Sequence, residues 1–157
     1  MIKIRKYSEN DLDFISEKQS LLSGFHFQFD KEYYEPSDNS RQEFKDYIAK
    51  RITDENFNIL IAESSGKITG YVMGWIDLRP PIYKIRNVGY LSNIFVNSDQ
   101  RNSGIGKELY NEMEKWFLSK NVDYIEIKSD ARNTDTINKF RNHGFRDLSI
   151  TFYKKAK

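Results

Sequence analysis

The chain has 157 residues, a length that points to a single domain over 1–157, and its 25 Lys and Arg against 23 Asp and Glu leave a formal charge of +2. That near balance argues against a charge-driven grip on nucleic acid or an anionic membrane, and no apolar run is long enough to cross a bilayer. With no cysteine, disulfides, thiolate metal sites and a cysteine nucleophile are excluded.

Ile2 and Ile4 alternate with Lys3 and Arg5, the period of a half-buried strand. The opening MIKIRKYSEN holds no apolar segment of signal-peptide type, so cytoplasmic residence is expected. Ser8 fits a helix cap with Asp11 at the third helical position, and Leu12, Ile15 and Leu22 fall near one helical face. Residues 23–40, SGFHFQFDKEYYEPSDNS, read as an irregular aromatic segment closing on a turn. Arg41 to Ile52 is predicted helical, with Phe44, Ile48 and Ile52 at spacings of four.

Asn58–Glu63 and Lys67–Asp77 flank Ser64-Ser65-Gly66, the signature of a β-hairpin. Arg79-Pro80-Pro81 then ends strand pairing, because proline has no N–H to donate. Val88–Val96 is the next strand. A glycine turn follows, and Ile105, Leu109, Met113, Trp116 and Phe117 make the apolar stripe of a long helix that Asn121 stops. Asp123–Ser129 is a strand, Asn133–His143 a short helix ending at Gly144, and Ile150–Tyr153 a last strand. The order of elements gives an α+β fold, a sheet flanked by helices.

The turn RNSGIGK carries the chemistry. Gly104 and Gly106 let the chain turn where side chains would be strained, and the amides around them open a helix and lack intrahelical partners. Such free N–H groups, with the helix dipole behind them, suit a phosphate; a plain turn fits the same residues. A dinucleotide fingerprint would want Gly or Ala at Leu109, and a P-loop would want Gly at Arg101 and Ser or Thr at Glu108. His26 and His143 have no metal-ligand companions, so no metal is expected.

Two stretches, YLSNIFVNSDQRNSGIGKEL and NTDTINKFRNHGF, resemble in order and spacing the coenzyme-binding segments of the GNAT superfamily of acyl-coenzyme A dependent N-acetyltransferases. The resemblance spans nearly the whole chain. It implies a central, mostly antiparallel mixed sheet with a splayed strand pair and about four flanking helices. It also implies acetyl-CoA as cosubstrate and a small-molecule or peptide amine as acceptor, with a homodimer as the default assembly. By position, Arg101, Asn102, Ser103, Gly104, Ile105, Gly106 and Lys107 stand where family members cradle the pyrophosphate. Ile94, Phe95 and Val96 match the strand that meets the pantetheine arm, and Asn133 matches an asparagine near the thiol end, besides being a good helix cap.

Two positions depart from the family pattern. Phe140 stands at the coenzyme site where a tyrosine often protonates the leaving thiolate, and Ser92 where some members carry a glutamate base. Tyr90 and Tyr153 are the candidate replacements for the missing hydroxyl. Glu63, Asp77, Asp130 and Ser92 (through water) are the candidate bases. For the acceptor, Phe25, Phe29, Tyr33 and Tyr34 with Asp30, Glu32 and Glu35 suit a cationic amine; an aromatic plug over a sheet edge fits equally. The basic loop RPPIYKIR at 79–86 points the other way, toward an acidic acceptor, or simply lies in solvent. A non-catalytic acyl-coenzyme A binding module is the alternative to an enzyme.

Overall fold

The computed structural model describes residues 2–156. Five strands form one sheet in the order β1 (Ile2–Lys6), β2 (Phe57–Ser64), β3 (Lys67–Leu78), β4 (Asn87–Val96), β5 (Tyr124–Ile127). The first four pair antiparallel, and β5 joins β4 in parallel. The helices are α1 (Leu12–Phe27), α2 (Ser40–Arg51), α3 (Ile105–Ser119) and α4 (Thr134–Asn142).

Helices cover both faces of the sheet, which is why β2 reads apolar at successive positions rather than alternating. Ile59 and Ile61 join Tyr71, Met73 and Phe95 under Ile15 of α1 and Ile48 of α2, with Trp75 at the margin. Leu60 and Ala62 join Val72 and Leu91 under Leu109, Met113 and Phe117 of α3, with Trp116 at the margin. Close packing on that second face leaves no room at Gly89: a Cβ there would lie 2.6 Å from the Phe117 ring.

The local signals in the sequence act as expected in most places. Ser65 and Gly66 both take positive φ in the β2–β3 turn, and Asn121 (φ 57°) follows α3. Asp11 accepts hydrogen bonds from the Ser8 main-chain N–H (2.7 Å) and hydroxyl (2.9 Å) at the mouth of α1.

Three expectations are corrected. The segment expected to be irregular from residue 23 is helical through Phe27. Gly24 lowers helix propensity, but α1 is already anchored by its buried face, and packing outweighs propensity. The expected strand 123–129 narrows to Tyr124–Ile127. The expected last strand, Ile150–Tyr153, forms no ladder. The Tyr153 hydroxyl donates to Asp30 (2.7 Å), its ring packs on Tyr33 (4.8 Å between centroids), and Lys155 pairs with Glu32. These contacts draw the tail to the loop after α1, so β5 remains the edge strand. Leu148, Ile150 and Phe152 are left 76%, 78% and 88% exposed.

Candidate functional site

β4 is a strand with one edge filled and the other partly open. Toward β3 it is paired from Asn87 opposite Leu78 to Val96 opposite Gly70, interrupted only at Ser92. Toward β5 it is paired only from Val88 to Leu91, which faces Ile127. From Ser92 onward that edge has no strand beside it. The Asn97 N–H donates to Thr69 O (2.8 Å), which sets the alternation along the ladder. Asn93 and Phe95 therefore turn their main-chain groups to β3, and Ile94 and Val96 turn theirs to the open edge. Phe95 itself is 8% exposed, its side chain built into the core.

A β-bulge interrupts the β3–β4 ladder at the point where β4 and β5 part. Met73 faces Asn93 but Gly74 faces Leu91, so Ser92 is the extra residue. The Ser92 hydroxyl donates to Asn93 Oδ1 (2.5 Å), and Asn93 Nδ2 donates to Gln19 Oε1 of α1. The buried Tyr71 hydroxyl reaches the same Gln19 oxygen at 3.4 Å.

Beyond Val96 the chain turns into α3. Asn102 (φ 63°) and Gly104 (φ 88°) both take left-handed backbone, whereas Gly106, expected to stand where a side chain is strained, lies inside α3 with room for a Cβ. The first helical bond runs from Glu108 N–H to Gly104 O (3.0 Å). Among the described residues, no protein oxygen accepts from the N–H groups of Asn102, Ser103, Gly104, Ile105, Gly106 or Lys107. Arg101, Asn102, Ser103 and Lys107 are exposed around this row, and the Arg101 Nε lies 3.5 Å from Val96 O. Free amides and an open strand edge thus run into one another, an arrangement that fits a ligand with an anionic group and a hydrogen-bonding arm. These residues fit coenzyme A: a diphosphate matches the amides, and the amide-bearing pantetheine matches a strand edge.

The remaining sequence candidates are spread over several elements. Tyr90 lies next to Leu91, where the strands part; it is half-buried, 4.7 Å from Trp75 between ring centroids, with the Lys128 ammonium 5.5 Å from its ring. Burial holds its phenol above the usual value, so it is protonated at neutral pH. Asn133 is buried and caps α4, accepting from Thr136 N–H (3.4 Å). Phe140 sits edge-on to Phe145 (5.6 Å), which in turn meets Tyr110 of α3 (6.0 Å).

Around the loop after α1, Phe25 meets Phe29 (5.2 Å), Tyr33 meets Tyr34 (5.1 Å), and Arg132 lies 5.7 Å from the Phe29 ring. Tyr34 donates to Asp130 (2.9 Å), and Arg132 grips the same carboxylate with two nitrogens (2.8 and 2.7 Å). The guanidinium of Arg132 holds Asp130 far below the usual carboxylate range, which disqualifies it as a base near neutral pH. Glu63 is paired with Arg5 (2.7 Å), and Asp77 accepts from the Trp75 indole (2.8 Å).

The sequence reading missed Gln19 and the hollow it lines. A cavity of about 380 Å³ between α1 and α2 is walled by Ser16, Gln19, Ser20, Ser23, Phe27, Glu35 and Phe44 among others. Ser16 and Ser20 donate to helix carbonyls (3.0 Å each), and the buried Ser16 oxygen also accepts from Arg41 Nε (3.3 Å). Serines spaced three and four apart on α1 were the available signal. Among the described residues, no group of His, Cys, Asp and Glu is clustered to hold a metal ion, and no helix is long and apolar enough to cross a membrane.

A family model described as acetyltransferase (GNAT) family matches residues 20–145. An uncharacterized N-acetyltransferase of Methanocaldococcus jannaschii is 30% identical over 150 residues, which cover 94% of this chain but 62% of that longer protein. Among solved structures, a mutant of the BH1408 protein of Bacillus halodurans superposes with a TM-score of 0.84 at 18% identity, covering 99% of each chain. The aminoglycoside 6'-N-acetyltransferase AAC(6')-IG of Acinetobacter haemolyticus gives 0.77 at 17%, covering 99% of this chain and 98% of that one. The structure of AAC(6')-Iy with a bisubstrate analogue of coenzyme A and acetylneamine gives 0.71 at 19%, covering 100% and 99%. At these identities the structural likenesses establish a shared fold.

Proposed function

The chain belongs to the GNAT acetyltransferase family, and we propose that it transfers an acetyl group from acetyl-CoA directly to a primary amine of a small molecule or peptide. The observation that carries this reading is the run of free amides from Asn102 to Lys107 continuing from the open edge of β4. In this reading the amides bind the diphosphate, and Ile94 and Val96 hold the pantetheine arm as a neighbouring strand would. An N–H on the same edge polarises the thioester carbonyl, the task of an oxyanion hole. Alignment of amine and thioester in the cleft supplies much of the rate.

The acceptor enters from the α1/α2 face. The cavity offers the Ser20 oxygen and the Glu35 carboxylate, a surface for an ammonium and other donors. The aminoglycoside acetyltransferases of similar fold, one of them bound to a bisubstrate analogue with acetylneamine, support a small acceptor. We assign Tyr90 rather than Tyr153 to protonate the departing thiolate, because the Tyr153 hydroxyl is engaged by Asp30. A thiolate with a pKa near ~8.5 needs little such help, so Phe140 at the family's tyrosine position is compatible with turnover.

The exposed row Leu148, Ile150 and Phe152 supports a homodimer, and the reaction is expected in the cytoplasm. A non-catalytic acyl-coenzyme A module is the second reading, favoured by the engagement of Asp130 and Ser92 in protein hydrogen bonds. Thiol release from acetyl-CoA across a panel of amines decides between them. Turnover supports the enzyme; tight coenzyme binding with no release for any amine supports the module.

A further inference from the structure

We propose that Gln19 is a positioning residue: it latches the bulge of β4 to α1 and thereby aims the open strand edge at the thioester. The inference rests on the reading of that edge as the acyl-donor slot. A bulge is a soft point in a ladder, since its extra residue is left unpaired. Ser92 is that residue, and it directly follows Leu91, the last residue of β4 with a β5 partner. The main-chain groups of Ile94, two residues on, have no neighbouring strand on their side to hold them in line. Something else must fix the edge.

The side chains above the bulge do so in a chain of three bonds. Ser92 Oγ donates to Asn93 Oδ1, Asn93 Nδ2 donates to Gln19 Oε1, and Tyr71 Oη donates to that same oxygen. Tyr71 is fully buried, and burial drives its phenol far up, so it is a permanent donor. One oxygen on α1 therefore gathers donors from β3 and β4, the two strands that slip past each other at the bulge. Gln19 Nε2 does little by comparison, with a long contact to Ser23 Oγ (3.5 Å). The functional atom is the oxygen. Gln19 also walls the α1/α2 cavity, so the same side chain sits between the hollow for the acceptor and the strand for the donor.

This division of labour separates two variants. Gln19→Leu keeps the volume and removes the acceptor. Gln19→Glu keeps an oxygen at the same reach. Three readouts are taken on folded protein: amide hydrogen exchange of residues 92–96, coenzyme A affinity by calorimetry, and acetyl-CoA turnover. Gln19→Leu is expected to speed exchange in 92–96 at least about tenfold and to lower kcat by about 10- to 100-fold through misalignment. Coenzyme A affinity stays within about threefold, because the diphosphate amides of α3 are untouched. Gln19→Glu restores slow exchange and kcat.

Unchanged exchange in Gln19→Leu overturns the latch. Equal damage in both variants also overturns it, since the oxygen would then not be the cause. If the wild-type protein releases no thiol with any amine, the acetyl-transfer reading fails while the exchange comparison still decides the latch.

Discussion

Gly106→Ala should make the protein more stable and a poorer ligand of coenzyme A at the same time. A Cβ at this position meets only Val96 Cγ2, at 3.7 Å, an ordinary van der Waals contact. Gly106 is the second residue of α3, where alanine gains about 0.5–1 kcal/mol over glycine. For a chain of this length that corresponds to about 2–4 °C in melting temperature per kcal/mol. The same methyl group projects toward the Val96 side chain, at the end of β4 where the turn begins. A diphosphate held by the Asn102–Lys107 amides must come within hydrogen-bond distance there. Displacing it from one charge-assisted bond removes about 1.5–3 kcal/mol, or about 10- to 150-fold in Kd. Thermal melts and calorimetry with coenzyme A test both halves. Pantetheine, which lacks the diphosphate, serves as the control and should lose little affinity. A variant that melts higher yet binds coenzyme A within twofold of wild type would refute the assignment of these amides.

Four further outcomes are expected. Gly89→Ala drives a methyl into the Phe117 ring and should cost about 1–3 kcal/mol in urea unfolding; Phe117→Leu in the same chain should recover part of it. Asp130 has a folded pKa below its unfolded value, so its contribution to stability is full above about pH 4. That contribution is lost as pH falls further, and Asp130→Asn should be less stable at pH 7 while showing a shallower acid limb in a stability–pH series. Ile150→Asp should convert a dimer to a monomer by light scattering, if the exposed tail row is the contact; a wild-type protein monomeric at high concentration would remove that assignment. Tyr90→Phe should lower kcat by less than about 10²-fold, under the usual range of general acid help, while leaving coenzyme A affinity unchanged; a larger fall, or lost affinity, would refute the assigned role.

The parts of the fold that were legible in the sequence are those decided within a few residues. Ser65-Gly66 determines its own turn, Asn121 its own helix stop, and the Ile105–Leu109–Met113 spacing its own buried stripe. The Gly104 half of the glycine turn belongs to the same class, because positive φ and free amides are local properties; Gly106 instead continues the helix. What stayed hidden depends on partners far along the chain. Gln19 and Asn93 are 74 residues apart, and only the packing of α1 on the sheet brings them together. Ser92 cannot be read as a bulge without the β3 register. The alternation in Leu148–Ser149–Ile150–Thr151–Phe152 is a genuine strand pattern, yet a pattern does not supply a partner, and Asp30 and Glu32 hold the tail elsewhere. Asp130 looked like a free carboxylate until Arg132, two residues on, folded back over it.

The chain contains two tryptophans, and the sheet stands between them. Trp75 keeps company with Arg51, Phe57 and Tyr90 on the α1/α2 side, while Trp116 packs beside Phe117 on the α3 side. Replacing either with phenylalanine leaves a single tryptophan that, excited at the red edge of its band to bypass the 10 tyrosines, reports one side of the molecule. Emission from Trp75 would follow whatever settles over Tyr90, and emission from Trp116 would follow the integrity of the helix that the free amides of residues 102–107 open. Titrations with each ligand could then be watched from both sides independently, with no dye attached.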